Sequence, residues 1–206
     1  MDEINNYQLD ELMKKVAFSL AAMIGIPACA QQPNVILIIA DDLGYGDVSA
    51  YGQSSVQTPN IDRLAHGGVC FTDGHATSAT STPSRYGLFT GMYPWKKEGT
   101  HILPGDAPLL ISPSQFTMPK MFQQAGYRTA AIGKWHLGMG QGNIDWNRRI
   151  EPAANAIGFD YTCLIAATVD RVPTVYVEDG LVGPVSGGSG HQSSSKICQR
   201  MDTVEK

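Results

Sequence analysis

Three short stretches of this 206-residue chain gather side chains that could do chemistry. Asp41 and Asp42 stand side by side directly after the apolar run 34-NVILIIA-40. Two neighbouring carboxylates repel each other and resist desolvation unless a cation joins them, and oxygen donors of this kind suit a hard divalent ion, Ca²⁺ or Mg²⁺. The competing reading is a solvated acidic turn. In 76-ATSATSTPSRYGLFTG-91, Pro83 can open a helix, which puts Ser81 just ahead of an N-terminus whose unpaired N–H groups and dipole favour an anion. Arg85, one turn in, can fork onto a nucleophilic oxygen or an anionic substrate, and a serine hydroxyl beside a metal is a candidate nucleophile. An ordinary capped helix with a surface arginine would look similar. The third stretch, 133-GKWHLG-138, alternates Lys134 and His136 about Trp135, so an extended backbone sets both on one side. One is a fixed positive charge and the other exchanges a proton near neutral pH. A strand-end turn with a solvated lysine and a packed tryptophan is the alternative there.

These groups need a scaffold. The run 34–40 is continuous, apolar and β-branched, the pattern of a strand covered on both faces. In 58-TPNIDRLAHGG-68, Thr58 serves as N-cap and Pro59 as the first helical residue; Ile61, Leu64 and Ala65 form an apolar face, and Gly67 ends the helix. A short strand is expected near 69-VCF-71. In the serine stretch Thr82 or Ser81 caps, Pro83 lies in the first turn, Leu88 and Phe89 supply apolar contact, and Gly91 stops the helix. A further helix over 117-TMPKMFQQAG-126 precedes a buried strand at 128-RTAAIG-133. The order β-α-β-α-α-β predicts an α/β layered fold with a mainly parallel central sheet, in which sites gather at the carboxyl ends of strands. From residue 183 the stretch 183-GPVSGGSGHQSSS-195 has no period and reads as a linker with a polar tail. The expected organisation is a leader over 1–30, one partial α/β domain over 31–182 and a linker and polar tail over 183–206.

Composition agrees with one core: 43% of residues are hydrophobic and 17% charged. The net charge of -4 offers no basic footprint for nucleic acid or an anionic membrane. Lys14-Lys15, the run 16-VAFSLAAMIGI-26 and 28-ACA-30 form a secretory signal with cleavage after Ala30 and Met13 as the start. The apolar run is short for a membrane span. Removing it with the acidic extension leaves a chain that is still slightly acidic. Export to the periplasm or beyond is therefore expected; 26-IPAC-29 also loosely fits a bacterial lipoprotein box, which would anchor the chain to a membrane through Cys29, with soluble export preferred. Cys70, Cys163 and Cys198 are widely spaced, outline neither a zinc site nor a disulfide framework, and are expected to be buried thiols.

Taken together, 41-DDLGYGD-47, 58-TPNIDRLAHGG-68, 81-STPSRYGLFTG-91 and 133-GKWHLG-138 resemble, in order and separation, the N-terminal part of a type I sulfatase of the alkaline-phosphatase-like superfamily. The resemblance covers about Asn34 to the 150s, and 165-IAATVDRVPTVYVEDG-180 is similar to a subset of such enzymes from glycan-degrading gut bacteria. It implies sulfuric ester hydrolysis on a sulfated carbohydrate or aryl sulfate. Ser81 takes the position that a radical maturase oxidises to formylglycine; Asp41, Asp42 and the modified Ser81 are similar to ligands of a Ca²⁺ ion, with Mg²⁺ the lesser choice. Arg85 resembles the residue that steadies formylglycine, Lys134 the one that binds sulfate, and His136 the one that handles the hydrate's proton. A hydrated aldehyde explains the chemistry, because one hydroxyl attacks sulfur and the other lets the adduct collapse with release of sulfate. Family members are longer, and their remaining ligands, an Asp with an Asn or His, and a second His and Lys, have no counterpart here; His191 and Asp202 are not assigned. A truncated chain with a half-built metal site is the expectation. The alternatives are a phosphatase-like hydrolase using unmodified Ser81 and a non-catalytic remnant that binds an anionic sugar.

Overall fold

The structure, a computed structural model, describes residues 32–52 and 54–183. The leader with Cys29, and the stretch from 184 onward with His191, Cys198 and Asp202, lie outside the described residues. The chain divides into two compact units, one ending at Thr72 and one beginning at Asp73.

In the first unit the run 34–40 forms no strand, and its large side chains are exposed, Ile36 at 83%. A strand apolar on both faces needs neighbours in the ladder and layers above and below it, and the described residues of this unit supply one helix and two 3₁₀ turns. The expected strand at 69–71 is missing for the same reason. Helix α1, Pro59–Gly67, does start where Thr58 and Pro59 place it. Thr58 caps through a side-chain network rather than through a backbone N–H: its Oγ1 donates to Asp62 Oδ1 at 2.9 Å, Ser49 Oγ donates to Asp62 Oδ2 at 2.6 Å, and Ser49 N–H donates to Thr58 Oγ1 at 3.0 Å. The Ser49 hydroxyl foremost, with that of Thr58, holds the Asp62 carboxyl below its ordinary value against the opposing effect of desolvation. No residue of α1 is buried, so the expected Ile61–Leu64–Ala65 face is uncovered.

The second unit carries helices α2, Ser81–Thr90, and α3, Met118–Gln124, and a four-stranded sheet in the order β1 (Ala130–Lys134), β2 (Tyr161–Ile165), β3 (Tyr176–Glu178), β4 (Leu181–Val182). The longest pairing is parallel, β1 to β2, with Ala130 opposite Tyr161 and Lys134 opposite Ile165. The two remaining pairings are antiparallel. Asp179 and Gly180, at φ 46° and 82°, make the two-residue turn between β3 and β4, the conformation such hairpins require. Strand β1 has one partner among the described strands and is only half-covered, with Ile132 exposed, where full burial was expected.

The core of this unit gathers Tyr86 and Phe89 from α2, Trp135 and Leu137 after β1, Ile157 and Phe159 before β2, and Leu164 within it. Phe89 meets Phe159 edge-on and Trp135 at a tilt, with ring centroids 5.7 Å apart in both pairs. Leu88, expected to share this role, faces outward, because the α2 stripe that turns inward runs through Thr82, Arg85, Tyr86 and Phe89. Thr117 caps α3 by accepting from Lys120 N–H, while its hydroxyl donates to Ile157 O. Cys163 is buried, and burial pushes its thiol up, whereas Cys70 is exposed, contrary to expectation. No helix among the described residues is long and apolar enough to cross a membrane.

Candidate active site

The α2 N-terminus begins two residues earlier than a Pro83 start implies. Thr80 is extended (φ -120°, ψ 157°) and flanks the helix, Ser81 is its first residue, and Pro83 sits in the first turn, where the missing N–H costs nothing. Gly91, left-handed at φ 65°, ends it, with its N–H donating to Gly87 O at 2.9 Å. Thr82 is not a cap. Fully buried, it donates from Oγ1 to His136 O at 2.8 Å and accepts from Leu103 N–H at 3.3 Å.

The paired strand ends at Lys134, but the chain stays beside the segment after β2, with Trp135 N–H donating to Ile165 O at 2.9 Å and His136 N–H to Ala166 O at 3.0 Å. His136 itself is left-handed at φ 58°, a conformation uncommon outside glycine. The alternation expected to set Lys134 and His136 on one side therefore ends at Lys134. A tight turn aims the imidazole instead. Trp135 Nε1 donates across it to Gly138 O at 2.7 Å, and Gly138, at φ 74°, lies so close to Pro108 that an added Cβ would come within 1.9 Å of its carbonyl oxygen.

The result converges on the serine. His136, 2% exposed, holds Nδ1 at 2.9 Å from Ser81 Oγ and Nε2 at 2.9 Å from Leu103 O. Arg85, 8% exposed and one helical turn from Ser81, donates from Nε to Ser81 Oγ at 3.3 Å and from Nη1 to Lys134 O at 2.7 Å. Lys134 thus enters through its carbonyl, and its ammonium charge is felt at His136. Burial pushes His136 below its ordinary value; the Leu103 carbonyl pulls the other way, and the charges of Arg171, Lys134 and Arg85 push it further down. A neutral imidazole beside a hydroxyl is a proton acceptor, and a guanidinium on the same oxygen favours negative charge there.

Asp41 and Asp42 belong to the other unit, both exposed in the turn that follows 34–40, Asp42 with φ 55°. Their oxygens are of the kind a hard cation takes. Among the described residues, however, no group of three or more His, Cys, Asp or Glu side chains could hold a metal ion, so the described donor set does not complete a metal site. Three participants escaped sequence reasoning: Thr82 as a tie, the Leu103 carbonyl, and Arg171, whose Nη1 lies 3.0 Å from His136 Nε2 and donates to Leu103 O. Only Arg171 left a trace in the sequence, within the stretch 165–180.

A serine at the head of one helix, met by a histidine just past the end of a parallel strand, is set here in an α/β unit of the alkaline-phosphatase-like class. The sulfatase family model matches residues 33–186, and the chain belongs to that family. It is 58% identical over 154 residues to an N-acetylgalactosamine-6-O-sulfatase of Bacteroides thetaiotaomicron, covering 74% of this chain and 30% of that one. It is also 42% identical over 129 residues to human arylsulfatase A, covering 59% and 24%. Among solved structures, one described under the metabolism of multiple glycosaminoglycans by Bacteroides thetaiotaomicron superposes with a TM-score of 0.73 at 57% identity, covering 75% of this chain and 32% of that one. The chain thus spans about a third or less of the length of the relatives it matches.

Proposed function

We propose that this chain carries the nucleophile-bearing part of an exported sulfatase that releases sulfate from a sulfated carbohydrate, with an aryl sulfate the simpler surrogate. The observation that carries this reading is the convergence of Arg85 and His136 on Ser81 Oγ in a chain of the sulfatase family. A glycan is favoured by the names of the relatives, an N-acetylgalactosamine-6-O-sulfatase and a protein of glycosaminoglycan metabolism.

Ser81 is the residue a maturase would oxidise to formylglycine, and that group supplies a geminal diol whose second hydroxyl releases sulfate after transfer. The chain's own residues do the rest. Arg85 holds the Ser81 oxygen by its Nε and is itself held by the Lys134 carbonyl, so its charge is preorganised where negative charge develops. His136, kept neutral by burial and by neighbouring cations, takes the proton at the Ser81 position. Lys134 contributes positive charge toward a sulfuryl oxygen. On the family resemblance alone, Asp41, Asp42 and the Ser81 oxygen are proposed as donors to a Ca²⁺ ion, with Mg²⁺ second, in the full-length protein. Export through the leader, and Cys29 as a lipid anchor only if that residue is acylated, belong to the same reading.

The test expresses the full-length protein with an anaerobic radical maturase. The Ser81 peptide is expected to lose the mass of two hydrogens, and the product to prefer aryl sulfate over aryl phosphate, with turnover abolished in Ser81→Ala. An unmodified Ser81 with a preference for phosphate overturns the proposal in favour of a hydroxyl-dependent phosphatase. A modified protein inert toward every sulfate ester leaves the binding remnant.

A further inference from the structure

We propose that Arg171 is a positioning residue for His136: through the carbonyl of Leu103 it fixes which ring nitrogen carries the proton, leaving the Nδ1 lone pair turned to Ser81. Its purpose rests on the function proposed above, while its geometry stands apart from it. Leu103 lies in an irregular stretch between α2 and α3, so no ladder holds its peptide. Two side-chain contacts do so. Its N–H donates to Thr82 Oγ1 at 3.3 Å, and its carbonyl receives Arg171 Nη1, from the loop after β2. The same oxygen lies 2.9 Å from His136 Nε2.

A carbonyl oxygen has two lone pairs and can take both donors. Two donors that share one oxygen stand close together, and Nη1 and Nε2 are 3.0 Å apart. With the imidazole proton on Nε2 the whole cluster is satisfied: Arg85 Nε–H donates to Ser81 Oγ, Ser81 O–H to His136 Nδ1, and Nε2–H and Arg171 both to Leu103 O. In the other tautomer Arg171 could donate to Nε2, but the Nε2 lone pair would then face the Leu103 oxygen at 2.9 Å with no hydrogen between them. Without Arg171 the Leu103 carbonyl keeps only the histidine's own hydrogen bond, and Nε2–H loses an acceptor that is fixed independently of the ring. The ring is then free to exchange its proton between nitrogens.

Long-range ¹H–¹⁵N spectra of the full chain in alkaline buffer, where imidazole is neutral, report the proton position directly, with His136→Gln to assign the signal. The wild type is expected to show a single tautomer, protonated at Nε2. Arg171→Ala should move both ring shifts toward the tautomer average. A proton on Nδ1 in the wild type overturns the proposal, as do unchanged shifts in a folded Arg171→Ala. Should that variant lose its amide dispersion, Arg171→Gln, which keeps a donor for the carbonyl, is expected to retain the wild-type tautomer, and an averaged ring there is equally fatal. Because the readout is a ring proton, failure of the sulfatase reading leaves this result standing, and the reverse also holds.

Discussion

Thr82 and Ser81 are neighbours with similar hydroxyls and opposite fates. Ser81 presents its oxygen to Arg85 and His136, while Thr82 turns inward and ties the peptides of His136 and Leu103 to the first turn of α2. That tie sets where the imidazole sits, because its partners are the backbone of the histidine itself and of the residue its Nε2 meets. Thr82→Val keeps the shape but leaves a buried carbonyl and a buried N–H without their partner. An orphaned buried polar group costs about 1–3 kcal/mol, so the variant should lose roughly 2–3 kcal/mol, read as a fall in the urea midpoint at constant slope. Thr82→Ser keeps both hydrogen bonds and loses one methyl, a cost of about 1 kcal/mol. Equal midpoints for the valine and serine variants would show that the two bonds carry no weight.

Among elements, the parallel register of β1 on β2 is pinned by one carboxylate. Asp160, just before β2, accepts from Thr129 N–H at 2.7 Å and Thr129 Oγ1 at 3.0 Å, and from Gln123 Nε2 of α3 at 2.9 Å; its own N–H donates to Thr129 O at 2.9 Å. Partial desolvation pushes this carboxyl up, but the Thr129 and Gln123 hydrogen bonds and the charge of Arg128 outweigh it and hold it below the ordinary value. With the folded pKa below the unfolded one, the unfolded chain binds more protons between the two, so the contribution is full above the unfolded pKa and is lost as pH falls through the folded one. The unfolded reference is about 3.9. Asp160→Asn should therefore be less stable than wild type at neutral pH, and the gap should close in acid below about pH 4. A gap independent of pH would remove Asp160 from the account.

The elements that could be read in advance share one property: their signals are local. Thr58-Pro59 and Thr117 with Pro119 mark helix starts because capping and the missing proline N–H act within one turn. The run 34–40 looks like a strand in isolation, yet a strand exists only through its neighbours, and the described residues of the first unit provide none. The Asp179-Gly180 turn had a local signal too and went unread within a stretch noted for its resemblance. At the site, Ser81, Arg85, Lys134 and His136 were legible by type and order. The Leu103 carbonyl was not, since every residue has one, and Arg171 lies 35 residues from the histidine it meets.

For the molecule as a whole, surface left uncovered decides how this chain behaves alone. Val35, Ile36, Leu37, Ile38 and Ile39 are each exposed by 44% or more, in succession, with no charge or proline among them. A short window of high β-propensity and no charge is the pattern that pairs with copies of itself when accessible. The net charge of -4 is spread over 206 residues and gives weak long-range repulsion to oppose this. The 206-residue chain is therefore expected to self-associate with rising concentration, and more so in high salt, where screening shortens the range of what repulsion there is. Ile36→Lys with Ile38→Lys places two like charges in the window, on alternate positions of one prospective strand face. Both substitutions lie in the first unit, whereas the residues that hold His136 belong to the second, so the packing of the second unit around His136 is expected to persist. Light scattering across a concentration series should show the double variant staying smaller than wild type at every salt level. Association unchanged by the two lysines would mean that another surface drives it.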